Sequence, residues 1–278
     1  MDLDLHLRDS HIVVTGGSGF IGSAVVAAFL SAGSHVTSLD LREPPAPKTA
    51  TTTDRFQYIP CDIVSETQLA TSFATAAQRF GPISTCIALA GLDFSFIPHH
   101  DSLADMSVEQ WRRTHAVNVE GTFLTARTWL RHIRDVKAKG EGLEEMRNVG
   151  LVIVGSESGV FGVRGNADYA AGKSAVQGGL LLSLADDVVR IWPGARVNAV
   201  APGPVDTEQF RKECAEAPGT LYYEAEATTA LKKPIPPESV AKTILFLASE
   251  NWSGSITGQV LKVDSGKMGR VMWTKEEC

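Results

Sequence analysis

Short apolar runs along the chain alternate with longer segments in which apolar and polar residues are mixed. The runs are rich in valine and isoleucine, as in HIVVT and LVIV, and show no regular polar alternation. Strands that are apolar on both faces and alternate with helices are typical of a parallel sheet covered on each side. The pattern predicts strands over 11–15, 35–39, 56–60, 83–89, 151–154, 196–200 and 260–263. We therefore predict the α/β class, with a doubly wound parallel sheet of about seven strands.

Helices are predicted between these strands, because the intervening segments carry alanine and leucine at helical density. We expect helices over 21–30, 66–80, 107–132 and 169–191. The charged stretch 135–148 and the proline-containing segment 204–237 depart from this rhythm. We predict a surface loop for the first and a substrate loop or lid for the second, since long connections in compact domains often cover a site. No linker interrupts the alternation, so a single domain is predicted over 1–278.

Composition and charge limit the kinds of molecule that the protein is expected to bind. The 278 residues carry a formal net charge of −6 with no basic run, so neither nucleic acid nor an anionic membrane is an expected partner. The four cysteines form no CxxC pair, which favours a reduced, intracellular protein and argues against a metal site. The acidic N-terminus is unlike a signal peptide, and no apolar run approaches the ~20 residues of a membrane span. We expect a cytoplasmic protein that binds small molecules.

A glycine-rich turn, TGGSGFIG at 15–22, follows the first predicted strand and opens the first helix. In that context glycines let the backbone approach a pyrophosphate, and the helix N-terminus supplies N–H groups. Asp40 ends the second predicted strand, where a carboxylate accepts hydrogen bonds from ribose hydroxyls and repels a 2′-phosphate. NAD is therefore the expected cofactor rather than NADP, although the cation of Arg42, two residues after Asp40, would weaken this preference. Asp62 is a candidate partner for the adenine amino group, or else the N-cap of the next helix.

A serine, a tyrosine and a lysine follow the strand predicted at 151–154. Lys173 lies one helical turn after Tyr169, so a cation is placed beside a phenol. A free phenol ionises near pH ~10, and a neighbouring cation lowers that pKa. Tyr169 is therefore a candidate acid/base for proton transfer in step with hydride transfer. Ser156, thirteen residues before Tyr169, is placed to hold the substrate oxygen.

Taken in order, these motifs resemble the short-chain dehydrogenases/reductases, in their shorter single-domain type with a Rossmann fold. The resemblance runs from Ile12 to about Gly266 and includes the glycine turn, Asp40, Asn118 in NVEG, Ser156, YAAGK, Pro202-Gly203 with Thr207, and ITGQVLKVDSG at 256–266. It implies an NAD-dependent oxidoreductase, and a homo-oligomer, a tetramer or dimer, that associates through helices 107–132 and 169–191.

The resemblance also implies a role for each site residue. Tyr169 would be the acid/base, and Lys173 would lower its pKa and bind the nicotinamide ribose. Ser156 would position the substrate oxygen, and Asn118 would help a water connect Lys173 to a proton path. Residues 202–207 would lie against the nicotinamide carboxamide. The predicted cofactor-binding set is Gly16, Ser18, Gly19, Phe20, Ile21, Gly22, Asp40, Leu41, Asp62, Ile63, Ala90, Gly91, Tyr169, Lys173, Pro202, Gly203, Val205 and Thr207.

Two positions depart from the pattern of the shorter members. Phe20 stands where they usually have the middle glycine of the first motif, and the spacing in TGGSGFIG is similar to that of the longer, nucleotide-sugar-modifying members. Ala88-Leu89-Ala90-Gly91 replaces their usual Asn-Asn-Ala-Gly. The missing asparagines normally help to fix the backbone near the adenosine ribose.

Substrate contacts are expected from loops beyond the strand ends, at 92–101, 157–166 and 204–237. Aromatic residues in these loops indicate a small, largely apolar substrate, with a ring-containing molecule among the candidates. The candidate substrate residues are Phe94, Phe96, His99, Glu157 and Phe161. The leading hypothesis is interconversion of a secondary alcohol and a ketone with NAD.

Four other functions stay open at the level of sequence. One is an NADPH-dependent biosynthetic ketone reductase, and another is an epimerase or dehydratase that uses bound NAD transiently. A third is a non-redox cyclisation in the same pocket. The fourth is a dinucleotide-binding scaffold without catalysis, against which the intact Ser156, Tyr169 and Lys173 argue.

Overall fold

The protein is described by a computed structural model that covers residues 2–44, 54–140, 142–217 and 219–278. Three of the sequence-based predictions extend beyond these ranges, among them the single domain over 1–278. Glu141, in the charged stretch 135–148, and Pro218, in the segment 204–237, lie outside the described residues.

Seven parallel strands form one sheet, in the order β3-β2-β1-β4-β5-β6-β7. The strands are β1 His11–Thr15, β2 His35–Asp40, β3 Phe56–Pro60, β4 Thr85–Ala88, β5 Gly150–Val154, β6 Arg196–Pro202 and β7 Val260–Val263. The predicted α/β class and seven-stranded parallel sheet are confirmed. Strands β1, β3 and β7 have the predicted bounds, and the others differ by one or two residues at one end or, for β4, at both ends.

Helices follow the strands and cover both faces of the sheet. They are α1 Phe20–Ser31, α2 Glu66–Phe80, α3 Val108–His115, α4 Thr122–Lys139, α5 Ser158–Phe161, α6 Ala167–Ala175, α7 Leu181–Ile191, α8 Glu208–Glu216, α9 Pro237–Ala248 and α10 Glu250–Ser253. π-Helical turns at Ala116–Gly121 and Val176–Leu180 join α3 to α4 and α6 to α7. No helix within the four described ranges combines the length and the apolar character needed to cross a bilayer.

Successive residues along a strand point alternately into two separate hydrophobic cores, one on each face of the sheet. Val13 faces a core that includes Trp129 of α4 and contributions from α2 and α7. Val14 faces the opposite core, where Phe29 of α1 and Ile244 of α9 are fully buried. Burial on both faces explains why the strands show no polar alternation, since each side chain of a covered strand loses contact with water.

The prediction of a surface loop over 135–148 is wrong for its first five residues. Helix α4 continues to Lys139, because Val136 packs against the core and extends the apolar side of the helix. Gly140 then ends the helix with a left-handed φ of 72°. The predicted helix 107–132 is thus two helices separated by a π-helical turn, a feature that is frequent at functional sites.

Strand order reverses between β1 and β4, because β2 lies on one side of β1 and β4 on the other. In open α/β sheets the crevice at this switch point, beyond the carboxyl ends of the strands, is the usual place for a ligand. The predicted site residues follow the carboxyl ends of β1, β2, β3, β4, β5 and β6, or lie on helices that pack beside them.

Candidate active site

The glycine turn after β1 brings its backbone close to the residues that follow β4. Gly16 has φ +73°, and a Cβ there would lie 2.7 Å from the Ala90 Cα, so only glycine lets the turn approach the end of β4. The first turn of α1 has neither a side-chain cap nor an acidic residue. The buried Ser18 hydroxyl has no hydrogen-bond partner within the described ranges. Free N–H groups and a free hydroxyl at a helix N-terminus fit a pyrophosphate.

Asp40 is brought to this turn by the pairing of β1 with β2. Its Oδ2 accepts a hydrogen bond from the Ser18 N–H at 3.0 Å, and its Oδ1 accepts one from the Arg42 N–H at 3.1 Å. Each carboxylate oxygen keeps a lone pair with which to accept a ribose hydroxyl. Leu41 and Phe20 are exposed beside it. The predicted cofactor residues of the first two strand ends are therefore close together.

The Asp62 carboxylate accepts from the Val64 N–H at 3.1 Å, as in a tight turn after β3. The N-cap of α2 is Ser65, whose hydroxyl accepts from the Gln68 N–H, so the alternative interpretation of Asp62 as that cap is wrong. Ile63 is buried against Gly121, the last residue of the π-helical turn before α4. Asp62 stays accessible to a ligand at this end of the sheet.

Thr15 fixes the backbone at the end of β4, where the expected asparagines are missing. Its Oγ1 accepts from the N–H groups of Leu89 and Ala90, at 3.2 and 3.3 Å. It also donates to the Ile87 carbonyl. Sequence reasoning missed this residue, although its place directly before the glycine turn and opposite Ala88 in the sheet register was a usable signal.

Ser156, Tyr169 and Lys173 lie together at the end of β5. Tyr169 is 9 % and Lys173 is 7 % exposed. The Lys173 Nζ donates to the Val154 carbonyl at 2.8 Å and lies 5.6 Å from the centre of the Tyr169 ring. The arrangement can hold a substrate oxygen beside a phenol and a buried amine.

Burial controls the ionisation of both groups. It raises the pKa of Tyr169 to about 12, against a hydrogen bond with Ser156 that lowers it. Burial also lowers the pKa of Lys173 to about 8. Both shifts have the sign expected when a group leaves water, because desolvation disfavours the charged form. In this structure burial therefore raises the Tyr169 pKa, whereas the sequence predicts that Lys173 lowers it.

Asn118 lies on the π-helical turn and reaches the same cluster. Its Oδ1 accepts from the Leu92 N–H at 2.7 Å, and its Nδ2 donates to the Leu92 carbonyl at 2.9 Å. A Cβ on Gly91 would lie 3.0 Å from the Asn118 Oδ1 and 3.7 Å from the Lys173 Nζ. The predicted residues of β4, the π-helical turn and α6 thus meet around Gly91.

Gln177 is a further residue of the cluster that sequence reasoning missed. Its Oε1 accepts from the Ser156 N–H at 2.8 Å, and Gly155 and Gly159 leave it room, since a Cβ on either would collide with it. The usable signal was its spacing, because residues 169, 173 and 177 follow one face of a helix.

Residues 202–207 begin at the last residue of β6 and continue beyond its carboxyl end. The Pro202 carbonyl accepts from the Glu157 N–H at 2.9 Å, and the Gly203 N–H donates to Val263. Val205 forms an isolated parallel bridge with Ile235. Thr207 is the N-cap of α8, with its Oγ1 accepting from the Phe210 N–H at 3.1 Å.

The five candidate substrate residues occupy different surroundings. Phe94 lies against Tyr169, with ring centres 4.7 Å apart. Phe96 lies under the Arg42 guanidinium, and Phe161 lies near Lys262. His99 bonds Asn166 through its Nδ1.

The fifth candidate, Glu157, is largely buried. Its carboxylate faces Lys267 at 3.4 Å. Burial raises the pKa of Glu157 to about 7, against the opposing effect of Lys267.

Comparisons with known proteins show which family and which solved structures the chain is similar to. The family described as enoyl-(acyl carrier protein) reductase matches residues 18–267. A cis-4-hydroxycyclohexanecarboxylate dehydrogenase of Sinomonas cyclohexanicum is 31% identical over 261 residues, 91% of this chain and 94% of that protein. A 2,5-dichloro-2,5-cyclohexadiene-1,4-diol dehydrogenase of Sphingobium indicum is 27% identical over 94% of this chain and 97% of that protein. The solved aldohexose dehydrogenase of Thermoplasma acidophilum superposes with a TM-score of 0.78 at 26% identity, covering 97% of this chain and 98% of that one.

Proposed function

The chain belongs to the short-chain dehydrogenase/reductase family, and we propose that it is an NAD-dependent oxidoreductase that interconverts a secondary alcohol and a ketone on a small, largely apolar, cyclic molecule. The observation that carries the proposal is the buried cluster of Ser156, Tyr169 and Lys173 at the switch-point crevice, beside a glycine turn and Asp40. Hydride exchange needs a dinucleotide and an acid/base at one carbon, and this crevice offers groups for both.

Bound at the glycine turn and Asp40, NAD would supply the acceptor for the hydride of the alcohol carbon in the oxidative direction. The Ser156 hydroxyl donates a hydrogen bond to the substrate oxygen and fixes its position. In that direction Tyr169, ionised to the phenolate, takes the hydroxyl proton at its phenolic oxygen, and in the reductive direction the neutral phenol gives its proton to the ketone. Lys173, with a pKa of about 8, can hold or release a proton at Nζ near neutral pH. Asn118, beside Lys173, orders the route by which this proton reaches water.

NAD is the proposed cofactor because of the surroundings of Asp40. Its carboxylate is held at the glycine turn by the Ser18 N–H, where it would accept the ribose hydroxyls and repel a 2′-phosphate. The Arg42 guanidinium, the group that would favour NADP, lies 5.6 Å over the Phe96 ring. Gly16, Gly19, Ile21 and Gly22 would let the pyrophosphate approach the backbone.

A cyclic alcohol is the proposed substrate class for two reasons. Phe94 presents an aromatic face beside Tyr169, and Phe96 is exposed on the same loop. Two relatives are named for dehydrogenation of a hydroxycyclohexane acid and a cyclohexadiene diol, both six-membered rings. Apolar ring walls with a few placed polar groups are typical of such pockets.

We further propose a cytoplasmic homo-oligomer, a dimer or tetramer. Apolar side chains are exposed on α3, α4 and α7, namely Trp111, Phe123, Leu182 and Val189. Such surfaces favour association with a second copy. Light scattering at working concentration should give a dimer or tetramer, and a monomer would contradict this part of the proposal.

A parallel fluorescence titration with NADH and NADPH tests the cofactor assignment. The proposal predicts tighter NADH binding, followed by NADH formation from NAD and cyclohexanol. Tighter NADPH binding would instead favour a biosynthetic ketone reductase. Conversion of a sugar nucleotide without net NADH would favour the epimerase or dehydratase hypothesis, and binding of neither cofactor would favour a scaffold or non-redox reaction.

A further inference from the structure

The loop 92–101 carries a side chain, Phe94, that contacts the ring of Tyr169. Phe94, in the first third of the loop, lies with its ring centre 4.7 Å from that of Tyr169, at an interplanar angle of 55°. The start of the loop is fixed, because Asn118 binds both the N–H and the carbonyl of Leu92. The position of Phe94 over the phenol therefore depends on how the other end of the loop is held.

The other end is attached to the residues that begin α6. The Asn166 Nδ2 donates to the Pro98 carbonyl at 2.9 Å, and its Oδ1 accepts from the His99 Nδ1 at 3.1 Å. The His100 N–H donates to the Gly165 carbonyl at 3.2 Å. Gly165 has φ +83°, and a Cβ there would collide with the His99 ring, so the close approach of loop and helix requires glycine.

Asp168, the residue before Tyr169, carries a carboxylate in the interior. It is fully buried, its Oδ2 accepts from the Thr114 hydroxyl at 2.6 Å, and its Oδ1 has no hydrogen-bond partner among the described residues. A buried carboxylate is costly unless it is well compensated. Its place in the first turn of α6 supplies part of the compensation, through the positive end of the helix dipole.

Gln110 connects this carboxylate to the loop. Its Nε2 donates to the Asp168 Oδ2 at 3.3 Å and to the Pro98 carbonyl at 3.1 Å. Its Oε1 accepts from the His100 Nε2 at 2.7 Å. A continuous set of hydrogen bonds thus runs from the helix that carries Tyr169, through α3, to the loop that carries Phe94. We name this set the loop clasp; its members are Pro98, His99, His100, Gln110, Asn166 and Asp168.

We propose that Asn166 and Asp168 are positioning residues: through the loop clasp they hold Phe94 over Tyr169, and so set which ring-bearing alcohols reach the phenol. The choice of alcohols rests on the proposed function, whereas the shielding of Tyr169 does not. Neither residue needs to touch the substrate, because each acts through the loop. The buried Asp168 carboxylate thus serves the loop clasp through Gln110, in addition to its hydrogen bond with Thr114.

The test compares nitration of Tyr169 by tetranitromethane, read by peptide mass spectrometry against the exposed Tyr223, in wild type and Asn166→Ala. Loss of both Asn166 side-chain bonds should raise Tyr169 nitration, and hydrogen exchange over 92–101, by about tenfold. Asp168→Asn, which keeps an acceptor for Thr114, should give a smaller rise in both. Phe94→Leu should raise nitration while leaving exchange over 97–101 unchanged.

Asn251→Ala is the matched control, because Asn251 uses the same amide chemistry to bind the Asp4 carbonyl far from the loop clasp. It should leave Tyr169 nitration unchanged. NADH binding and thermal unfolding establish that each variant is folded. Unchanged nitration and exchange in a folded Asn166→Ala protein would overturn the proposed shielding.

A kinetic measurement tests the effect on substrate choice. In Asn166→Ala the preference for cyclohexanol over 2-propanol, in kcat/KM with NAD, should fall about tenfold, chiefly through KM for cyclohexanol. An unchanged preference would overturn the assigned role in specificity. A wild-type protein that oxidises neither alcohol would contradict the proposed function, while the nitration comparison would still decide whether the loop clasp shields Tyr169.

Discussion

The Lys267 ammonium group lies 3.4 Å from the carboxylate of Glu157, the residue that follows Ser156. Lys267 also donates to the Glu224 carbonyl at 2.7 Å, within the predicted loop segment 204–237. One buried cation therefore connects the end of β5 with the π-helical turn Tyr222–Glu226. This connection allows the stability of the site and the position of the loop segment to be tested together.

Replacing Lys267 with methionine should destabilise the protein, because Glu157 would remain buried without its cationic partner. Removing one member of a buried ion pair costs about 3–5 kcal/mol, and the 10 % exposure of Lys267 places the expected loss of unfolding free energy near ~3 kcal/mol. Urea unfolding measures it. In Lys267→Met/Glu157→Gln the loss should be partly restored, and a double variant as unstable as the sum of the single variants would contradict the coupling.

The free energy of unfolding should depend on pH through the ionisation of Glu157. Its pKa is raised to about 7 in the folded protein, chiefly by burial, from 4.5. Between these values the folded state binds the proton more strongly than the unfolded state. The free energy of unfolding must therefore fall as pH rises through this window, with a contribution on the order of 3 kcal/mol.

Glu157→Gln removes this contribution, because glutamine does not titrate. Urea unfolding of wild type and Glu157→Gln at pH values across the window gives the difference between them. The wild type should lose stability relative to the variant as pH rises. Parallel curves, or a relative gain by the wild type, would show that Glu157 does not titrate as its surroundings require.

Asp40→Ala should weaken NADH binding by about 10- to 100-fold, because a charge-assisted acceptor for the ribose hydroxyls is lost. NADPH binding should change less, since the 2′-phosphate is no longer repelled. Fluorescence titration with both cofactors measures the change in their ratio. Asp62→Ala is the comparison variant, and an equal effect of both substitutions on both cofactors would remove the proposed role of Asp40 in cofactor choice.

Thr15→Val should destabilise the protein and weaken cofactor binding together. The Thr15 Oγ1 accepts two backbone N–H groups at the end of β4, and leaving them unpaired in a partly buried position costs about 1 kcal/mol or more. Urea unfolding and NADH titration should both register the loss. Thr15→Ser keeps the oxygen and should restore both properties; equal behaviour of the two variants would argue against this role.

The arrangement of the sheet was predictable because its signals are local. β1 and β3 are short apolar runs bounded by turn residues, and the glycine turn directly follows β1. The local pattern of apolar and turn residues is therefore enough to predict both strands and the turn. The order of Ser156, Tyr169 and Lys173 was likewise readable, because the last two are one helical turn apart. These features depend on neighbours within a few residues.

The remaining features depend on contacts between distant segments. The π-helical turn that carries Asn118 is connected to Leu92, 26 residues away, by a hydrogen bond from the Leu92 N–H to the Asn118 Oδ1. No local sequence pattern indicates this contact. Asn166 and Asp168 have partners at Pro98 and Thr114, which become neighbours only when α3 packs on α6. The Tyr169 pKa could not be anticipated either, because burial of the whole cluster, rather than the spacing to Lys173, sets its direction.

The most direct test of the proposed function is NADH formation from NAD and cyclohexanol by wild type and Tyr169→Phe. If Tyr169 is the acid/base, the substitution should lower kcat by about 10²–10⁴-fold, while Kd for NADH stays within about threefold of wild type, a change of less than ~1 kcal/mol. Turnover by Tyr169→Phe within a few-fold of the wild-type rate would contradict the account, because proton transfer would then not pass through the phenol.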